Sequence, residues 1–501
     1  MKFLFNTALL VLLFMLPACN RNRLKTNEKT LINMLYQDER EQKTADSIAK
    51  AQRKDNREGG LPSGLLLKGD RSVDPLNPPL IIDLEASLDN INEVKLAEVV
   101  SGIRYVLIEQ PPDSAFVGDI RFDYYLTDDY IIAVNRLGIL KYNKDGRFLS
   151  TVVKNNFTTD GIFISTFIGA SYRQGGGTYY NNIRITGNKL FYTYINTIAS
   201  QEYRLEYDCS EVDVNPQKEF NTEFPSGILG KGKIVADYNP KGSKGETHSD
   251  GSKSFLTKWI DNNTYTKKIK GVDIYAIINK EGDTLSKFPL YEKLVNYTKS
   301  VGRGTDDGCY YEYKGNTYFR NSYNDTLFHV IPPNRLLPVY VLSLGRYKTT
   351  RHQGTDPDFD LTGKIIPEEW VETEKYIFLT YTKDNYDCPN TRKNKTVKIY
   401  HSLYSKINHQ LSVIKGDPYD YSPEILANDI DGGLPVWPYH PARYITGQNG
   451  EIIFSLKGKD LKARIKSEQF KNSSAPELKK NSLKQLADSV NDYEDILMII
   501  K

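Results

Sequence analysis

The stretch that decides the fold is Asp119–Val153, DIRFDYYLTDDYIIAVNRLGILKYNKDGRFLSTVV. Short runs rich in isoleucine, valine, tyrosine and phenylalanine alternate there with turns that carry glycine, asparagine and aspartate, a pattern typical of strands joined by hairpins. The predicted strands are Asp119–Leu126, Tyr130–Asn135, Gly138–Tyr142 and Arg147–Val153. Asp145-Gly146 supplies the positive φ that a tight hairpin requires. The stretch therefore predicts one four-stranded meander sheet.

The same turn-then-strand unit recurs at intervals of roughly 50–75 residues. After Asp128–Asn135 it is found at Asn188–Tyr194, Asn262–Lys268, Gly315–Asn321, Lys375–Tyr381 and Asn449–Leu456. Three of these units are followed by a similar segment that predicts an outer hairpin: YNKDGRFLSTVV, INKEGDTLSKFP and YSKINHQLSVIK. Six meanders placed radially form a six-bladed β-propeller, which leaves only short, protected edges. A large β-sandwich or two separate β domains are the alternatives.

The two ends of the chain depart from this β pattern. Residues 20–79 are charged and then rich in proline and glycine, which predicts a tether ahead of a propeller at 80–470. In the segment 471–501, apolar residues of Pro476–Val490 recur at helical spacing, and the apolar run Ile496–Ile500 predicts a closing strand. Leu80–Leu84 is the candidate for the matching N-terminal strand. The expected fold is thus all-β, a six-bladed propeller with a C-terminal helix and closing strand.

Composition supports a β-rich chain and argues against nucleic-acid binding. Aromatic residues make up 12% of the 501 residues, and the formal net charge is only +3 with acids and bases mixed along the chain. Apart from Cys19, the cysteines are Cys209, Cys309 and Cys388, which lie far apart in the sequence. One disulfide with one free thiol, or three inert thiols, both fit this spacing.

The first nineteen residues predict where the protein resides. Lys2 precedes an apolar run from Phe3 to Leu16, and Leu16-Pro17-Ala18-Cys19 follows. This resembles a bacterial lipobox, in which Cys19 would become the lipidated first residue of the mature chain. A plain signal peptide and an N-terminal anchor are the alternatives. The basic residues directly after Cys19, in 20–23, favour a lipid-anchored, periplasm-facing protein over a surface-exported one.

Residues from about 80 to the end resemble the six-bladed β-propeller lipoproteins of Bacteroidetes, a group largely of unknown function. The segments that carry the resemblance are Ile81–Glu109, Tyr142–Val152, Asn324–Gly345, Asn428–Pro438 (NDIDGGLPVWP) and Asn491–Lys501. Many relatives have a Gly-Pro-Gly stretch after the first hairpin, whereas this chain has Gly175-Gly176-Gly177. The resemblance implies a fold and a compartment, but it implies no reaction.

The segment Asn428–Arg443 is the strongest candidate for a ligand site. Propellers place such sites where loops from several blades converge. The candidate ligand-binding residues are Asp429, Asp431, Trp437, Tyr439, His440 and Arg443. Aromatic faces suit sugar rings, and the acids and arginine can hydrogen-bond hydroxyls. The structural alternative is a rigid loop that caps a blade, with Trp437 as a packing anchor.

Other motifs give weaker indications. Asp356, Asp358 and Asp360 alternate in DPDFDLTG and suggest a Ca²⁺ loop, but an EF-hand is excluded because Leu361 and Pro367 occupy its glycine and glutamate positions. A Ca²⁺ loop of a different kind and a solvated turn are the two alternatives for these aspartates. The glycine-rich segment Gly302–Gly308 is expected to be a loop. No catalytic set, metal site or other cofactor is predicted, since the histidines form no i,i+4 pair and no G-x-S-x-G motif is present.

The sequence therefore predicts a lipid-anchored envelope protein that acts as a binding or interaction module for a glycan or an envelope protein. An enzyme acting on glycans or peptides, with acidic residues at the propeller channel, is one alternative. A scaffold subunit of an envelope complex is another, and it predicts a large exposed apolar patch.

Overall fold

The computed structural model describes residues 66–112, 122–135, 138–154, 183–196, 201–210, 222–224, 228–230, 233–238, 257–260, 264–269, 274–279, 284–289, 309–321, 323–356, 358–420, 425–438, 444–447 and 449–501. The chain divides into two compact units, Met1–Leu61 and Pro62–Lys501, and the described residues all belong to the second. This unit is mostly β-sheet with few helices. In the part of the chain that the structure describes, no helix has the length and apolarity needed to cross a bilayer.

The described strands form six sheets, numbered here by the order of their meanders along the chain. Sheet 1 contains β5 (Asp123–Leu126), β6 (Tyr130–Asn135), β7 (Gly138–Asn143) and β8 (Phe148–Lys154), with β13 (Ile228–Gly230) and β12 (Thr222–Phe224) added beyond β8. Sheet 2 contains β9 (Arg184–Thr186), β10 (Lys189–Asn196), β11 (Gln201–Asp208) and β14 (Lys233–Tyr238). Sheet 3 contains β15 (Thr257–Trp259), β16 (Thr264–Ile269), β17 (Ile274–Asn279) and β18 (Thr284–Pro289), followed by β1 (Leu67–Lys68).

Sheets 4 to 6 repeat this organisation. Sheet 4 contains β19 (Cys309–Tyr313), β20 (Asn316–Arg320), β21 (Thr326–Ile331) and β22 (Arg335–Ser343), followed by β2 (Leu80–Asp83). Sheet 5 contains β23 (Ile365–Glu372), β24 (Tyr376–Lys383), β25 (Lys398–Ser405) and β26 (Leu411–Ile414), followed by β3 (Ile91–Asn92). Sheet 6 has the order β27 (Tyr444–Thr446), β28 (Ile452–Lys457), β29 (Asp495–Ile500) and β4 (Ile103–Leu107).

The repeated turn-then-strand unit corresponds to one position in every sheet. The six segments found in the sequence coincide with β6, β10, β16, β20, β24 and β28, each of which is second from the same edge of its sheet. The predicted outer hairpins are β7–β8, β17–β18 and β25–β26, and all three pair antiparallel. The predicted meander of sheet 1 is confirmed, with its first strand shortened to Asp123–Leu126 among the described residues.

The Asp145-Gly146 turn shows why the β7–β8 hairpin needs glycine. Gly146 has φ +84°, and a Cβ built on it would lie 2.0 Å from the carbonyl oxygen of Leu107 in β4. The Asn143 side-chain oxygen accepts the N–H groups of Asp145 at 3.0 Å and Arg147 at 2.8 Å. The turn therefore closes the hairpin and also contacts the last strand of sheet 6.

Three strands from the start of the described chain lie along the edges of successive sheets. The strap, defined as residues 66–92, contributes β1 parallel to β18, then β2 parallel to β22, then β3 parallel to β26. The folded chain thus begins before the predicted boundary at residue 80. β1 and β3 have two residues each, so the strap pairs through its backbone and leaves no apolar alternation for the sequence to reveal.

The strand that pairs with the C-terminal strand differs from the predicted one. β29 pairs antiparallel with β4, with Val106 opposite Leu497, whereas Leu80–Asp83 forms the parallel edge strand β2 of sheet 4. The apolar run Leu80–Leu84 has the composition of a strand, but its own residues do not determine which strand it pairs with. Sheet 6 therefore joins strands from both ends of the folded unit.

The hydrophobic core lies between consecutive sheets. Separate clusters of buried side chains join sheet 3 to sheet 4, sheet 4 to sheet 5, sheet 5 to sheet 6, sheet 6 to sheet 1, and sheet 1 to sheet 2. The interface of sheets 6 and 1, for example, brings Leu497 and Ile499 against Ile131 and Leu140, all essentially inaccessible to solvent. The sheets therefore pack in the series 3-4-5-6-1-2.

The helices are short and concentrate near the C-terminus. In the described ranges they are α1 (Leu84–Ser87), α2 (Leu96–Val99), α3 (Arg351–Thr355), α4 (Pro389–Lys393), α5 (Gly458–Lys466), α6 (Glu468–Lys471) and α7 (Glu477–Ser489), together with a 3-10 turn at Gly345–Tyr347. The predicted C-terminal helix is confirmed as α7, and its Leu483 packs with Leu461 and Phe470 against Ile496 of sheet 6. Leu478, placed on the same face by its spacing, is instead 78% exposed.

Candidate functional site

The described part of the predicted ligand segment, Asn428–Pro438, forms a loop between sheets 5 and 6. A single antiparallel bridge joins Leu426 to Val436, and the Asn428 side chain organises the residues between them. Its oxygen accepts the N–H groups of Ile430 and Asp431, each at 3.1 Å, and its amide donates to the carbonyl of Leu434 at 3.3 Å. An asparagine at this position therefore sets the turn by bonding to the backbone of the loop.

Gly432 allows this loop to touch the C-terminal helices. Its φ is +77°, and a Cβ on it would lie 2.6 Å from Oγ of Ser473, in the connection between α6 and α7. From α5, Nε of Arg464 donates to the carbonyl of Gly432 at 3.2 Å. The loop and the helices are consequently held together at one point, and a cleft opens beside it.

Asp429 and Asp431 have different structural roles. Asp429 is half-buried, and its Oδ1 accepts the N–H of Ala97 at 2.9 Å, at the start of α2. Asp431 is buried, and its Oδ1 accepts the N–H of Gly433 at 2.8 Å. Burial raises the pKa of the Asp431 carboxyl above its ordinary value. The pKa of Tyr105, which lies beside Asp431, is raised by burial and by the negative charge of that carboxylate. Only Asp429 of the two lines the cleft.

Trp437 is buried in the hydrophobic cluster between sheets 5 and 6. It is 1% exposed, its Nε1 donates to Oγ1 of Thr380 at 2.8 Å, and it meets Phe378 and His401 edge-to-face at 5.2 and 5.0 Å. Burial lowers the pKa of His401 to about 3, so this imidazole is neutral at physiological pH. The indole has no face open to a ligand, and Trp437 anchors the loop by packing.

The cleft beside Asp429 has a volume of about 700 Å³, within the range of small-molecule sites. One wall comes from the segment after β3 and the end of β26, another from the 425–435 part of the loop, and the third from the helices. Its lining residues are Glu93, Val94, Lys95, Ile414, Lys415, Gly416, Ile425, Ala427, Asn428, Asp429, Pro435, Arg464, Gln469, Asn472, Ser473 and Ser474. None of these described residues is aromatic, and most of the helix-side groups are amides or hydroxyls.

Three cationic and two anionic side chains line the cleft, which gives it a net formal charge of +1. Lys95, Lys415 and Arg464 face two carboxylates, and each carboxylate is already engaged: Glu93 lies 3.7 Å from Lys415, and Asp429 accepts the Ala97 N–H. The Glu93–Lys415 pair is weak because both side chains are more than two-thirds exposed. The cleft is therefore suited to polar ligands with negative charge.

The remaining sequence-predicted residues do not join this cleft among the described residues. Cys19, Gly302–Gly308, Tyr439, His440 and Arg443 lie outside the described part of the chain. The Asp356 and Asp360 carboxylates accept N–H groups two residues further along, at 2.9 Å in each case. Within the described ranges, no group of three His, Cys, Asp or Glu residues could hold a metal ion. Of the cysteines, Cys209 and Cys388 are free thiols, and burial raises the pKa of Cys209 to about 12.

A second polar cluster, which the sequence did not indicate, lies between sheets 4 and 5. Glu372 at the end of β23 is 4% exposed, and its carboxylate accepts hydrogen bonds from the hydroxyls of Tyr311 at 2.7 Å and Tyr340 at 2.8 Å. Lys406 donates to the same carboxylate at 2.7 Å, and its ammonium lies over the Tyr313 ring, 4.6 Å from the centroid. Burial, and then the charge of Glu372, raise the pKa of Tyr311 well above its ordinary value. The cluster holds two sheets together.

A family model described as "Domain of unknown function (DUF4933)" matches residues 62–467. No curated protein matches the chain. Among solved structures, a protein of Bacteroides fragilis described as exported is 11% identical, with 84% of this chain and 99% of that chain covered and a TM-score of 0.46. A member of the DUF4221 family from Bacteroides vulgatus is 9% identical, with 80% and 97% covered and a TM-score of 0.33. The WD40 domain of Neurospora crassa Pan2 is 7% identical, with 70% and 81% covered and a TM-score of 0.25. Similarity at this level identifies no function.

Proposed function

Because the chain belongs to this family of unknown function, we propose from its own residues that it is a lipid-anchored binding module of the cell envelope. The ligand, a segment of an envelope protein or a glycan, is held in the cleft beside Asp429. The single observation that carries this proposal is the cleft itself, which has a volume of about 700 Å³ and is lined by polar and charged residues from three parts of the chain.

The proposal includes a ring of six blades, one for each sheet. The packing series 3-4-5-6-1-2 has sheets 2 and 3 at its ends, and an open row would keep those ends apart. Instead, Nη2 of Arg184 in sheet 2 donates to the carbonyl of Gly315 in sheet 4 at 3.2 Å. Gly450 of sheet 6 likewise lies close to Tyr313 of sheet 4, with sheet 5 between them in the series. Both contacts support a series that curves into a ring, in which each blade covers the next.

The cleft lies at the periphery of this ring. It is lined by residues that follow β3 and β26, the two strands at the strap edge of sheet 5, and by the C-terminal helices. The edge strands at the opposite end of the sheets, such as β23 and β27, contribute no lining residue among those described. The proposed ligand therefore binds at the side of the propeller and leaves the channel free.

The envelope location rests on the sequence. The apolar run Phe3–Leu16 followed by Cys19 supports lipid attachment at the cysteine, and the basic residues in 20–23 support a periplasm-facing anchor. The charged residues that follow Cys19 support the tether that the sequence predicts between the lipid and the propeller.

The test is capture of ligands by the full chain in mild detergent, from envelope extract and on a glycan array in parallel. Ser474→Trp fills the cleft, and Ser482→Trp places the same side chain at an exposed position of α7 outside it. The proposal predicts saturable capture that Ser474→Trp abolishes and Ser482→Trp preserves.

Two results would contradict the proposal. Capture that Ser474→Trp leaves intact would place the ligand elsewhere on the molecule. Turnover of a glycan or peptide by the wild-type chain would instead support the enzyme alternative.

A further inference from the structure

We infer that the ligand of the cleft is an extended acidic peptide segment, which adds as a further strand to the open edge of β3 and continues between Lys95 and α6. This inference rests on the proposed function and specifies its ligand.

The edge of β3 is open in the described structure. β3 is the last strand in the order of sheet 5, and no other described strand pairs with its outer side. The carbonyls of Asn90 and Asn92 accept from Val413 at 2.9 Å and Lys415 at 2.8 Å, so both carbonyls are directed at β26. Since backbone direction alternates along a strand, Ile91 and Glu93 direct their N–H and carbonyl groups outward. An incoming strand can pair with these groups.

The open edge continues directly into the cleft. Glu93, Val94 and Lys95 follow β3 and line one wall, and Lys95 keeps an extended backbone with φ −91° and ψ 149°. Ile91 is 60% exposed at the start of this path, whereas large apolar side chains are usually covered. A peptide paired with β3 would therefore run from an exposed apolar residue into a polar cleft without a bend.

Charge complementarity favours an acidic peptide over a basic one. The Lys95 side chain is exposed and forms no ion pair with another described residue, and Lys415 is paired only through its exposed contact with Glu93. Gln469, Asn472 and Ser474 on the opposite wall provide amides and a hydroxyl for the second edge of the peptide. The lining also lacks the aromatic face on which a neutral sugar ring would stack, so a peptide fits these groups better than a neutral glycan.

The probes are three fluorescent peptides of about eight residues: alternating glutamate and valine, alternating lysine and valine, and the glutamate peptide with alternate backbone nitrogens methylated. Binding is measured by anisotropy on the full chain in detergent. The glutamate peptide should bind saturably, the lysine peptide at least about tenfold more weakly, and the methylated peptide should lose binding because it cannot donate to the edge.

Matched variants locate the pairing. Ile91→Pro removes the outward N–H and leaves the bonds of Asn90 and Asn92 to β26 in place, whereas Ile91→Thr changes the side chain alone. We expect about five- to tenfold weaker binding for Ile91→Pro than for Ile91→Thr. Lys95→Glu should also weaken binding and reduce its salt dependence, while Lys375→Glu, exposed and outside the cleft, should change neither.

The outcomes separate this inference from the proposed function. If none of the peptides binds, or if Ile91→Pro binds as Ile91→Thr does, strand addition is wrong. The proposed function survives that result when Ser474→Trp still abolishes capture from envelope extract. If Ser474→Trp also leaves capture unchanged, strand addition and the proposed function are both wrong.

Discussion

Replacing Glu372 with glutamine tests how the buried cluster joins sheets 4 and 5. Its carboxylate accepts from Tyr311, Tyr340 and Lys406, all within 2.8 Å, at a position 3% exposed for the side chain. Glutamine keeps the shape of the glutamate side chain but removes its negative charge. The NH₂ group of the amide must then face a group that donates a hydrogen bond to the carboxylate in the wild type. Hydrogen bonds to charged groups contribute about 1.5–3 kcal/mol each, and breaking a buried pair costs about 3–5 kcal/mol. Lys406 is 20% exposed and can be partly hydrated, so we expect the loss of unfolding free energy to be at the lower end of this range, about 3 kcal/mol.

The assay is thermal unfolding followed by far-UV circular dichroism at pH 7. With roughly 2.1 cal/mol/K of unfolding entropy per residue over about 440 residues, a loss of 3 kcal/mol lowers Tm by about 3 °C. Glu374→Gln is the matched control, because Glu374 is 76% exposed and lies 3.9 Å from Lys314, which is 52% exposed. Its effect should stay below about 0.5 kcal/mol.

A double-mutant cycle completes this test. Lys406→Met leaves the Glu372 charge with two hydroxyls alone, and the double variant Glu372→Gln/Lys406→Met removes both charges together. The double variant should lose less stability than the two single losses combined, since no buried charge is then left without its partner. The reasoning is refuted if Glu372→Gln lowers Tm no more than Glu374→Gln does.

Four further changes test other parts of the molecule. Trp437→Ala should destabilise folding by about 3–5 kcal/mol in chemical denaturation, because the indole is 1% exposed, and Trp437→Phe should cost clearly less. Gly432→Ala should cost about 2 kcal/mol or more by the same measurement, since its φ is +77° and the added Cβ meets Ser473, and an effect below 0.5 kcal/mol would contradict this. His401 binds a proton below pH 6.5 when unfolded but only below about 3 when folded, so its contribution to stability is lost as pH falls from 6.5 to 3, by up to about 1.4 kcal/mol per pH unit. Denaturation at several pH values should show that the unfolding free energy of His401→Gln depends less steeply on pH between 3 and 6.5 than that of the wild type. Cys19→Ala should release the protein from the membrane fraction, and a full-length variant that stays membrane-bound would contradict the lipid anchor.

Sheet organisation could be predicted from the sequence where side chains alternate and turns demand particular residues. The unit that contains β6 is recognisable because Ile131–Val134 is continuously apolar and follows a clear turn, and the five repeats share the turn followed by a segment rich in aromatic, β-branched or other apolar residues. The strap could not be found in this way, because β1 and β3 contribute two residues each and bond through their backbone. The prediction that Leu80–Leu84 pairs with the C-terminal strand β29 is wrong for a related reason. Both β2 and β4 are rich in apolar residues, and the path of the chain decides that β4 is the partner of β29.

The candidate site shows the same division. The sequence indicates the segment Asn428–Arg443 because glycines, prolines, acids and aromatic residues are concentrated there, and within its described part Asp429 lines a cleft. The residues next to Trp437 in the sequence do not show whether its side chain faces solvent or the core, because the side chains that bury it come from β24 and β25. Lys95 precedes Arg464 and Asn472 by several hundred residues, and no motif marks any of the three, so only the folded chain shows that they line one cleft.

Hydrogen exchange of the full chain, with and without the ligand captured from envelope extract, tests the binding account most directly. The account predicts slower exchange at residues 91–95 and 469–474, with little change at the opposite sheet edges such as β23 and β27. Slower exchange confined to β23, β27 and their neighbouring turns, with 91–95 unchanged, would contradict it.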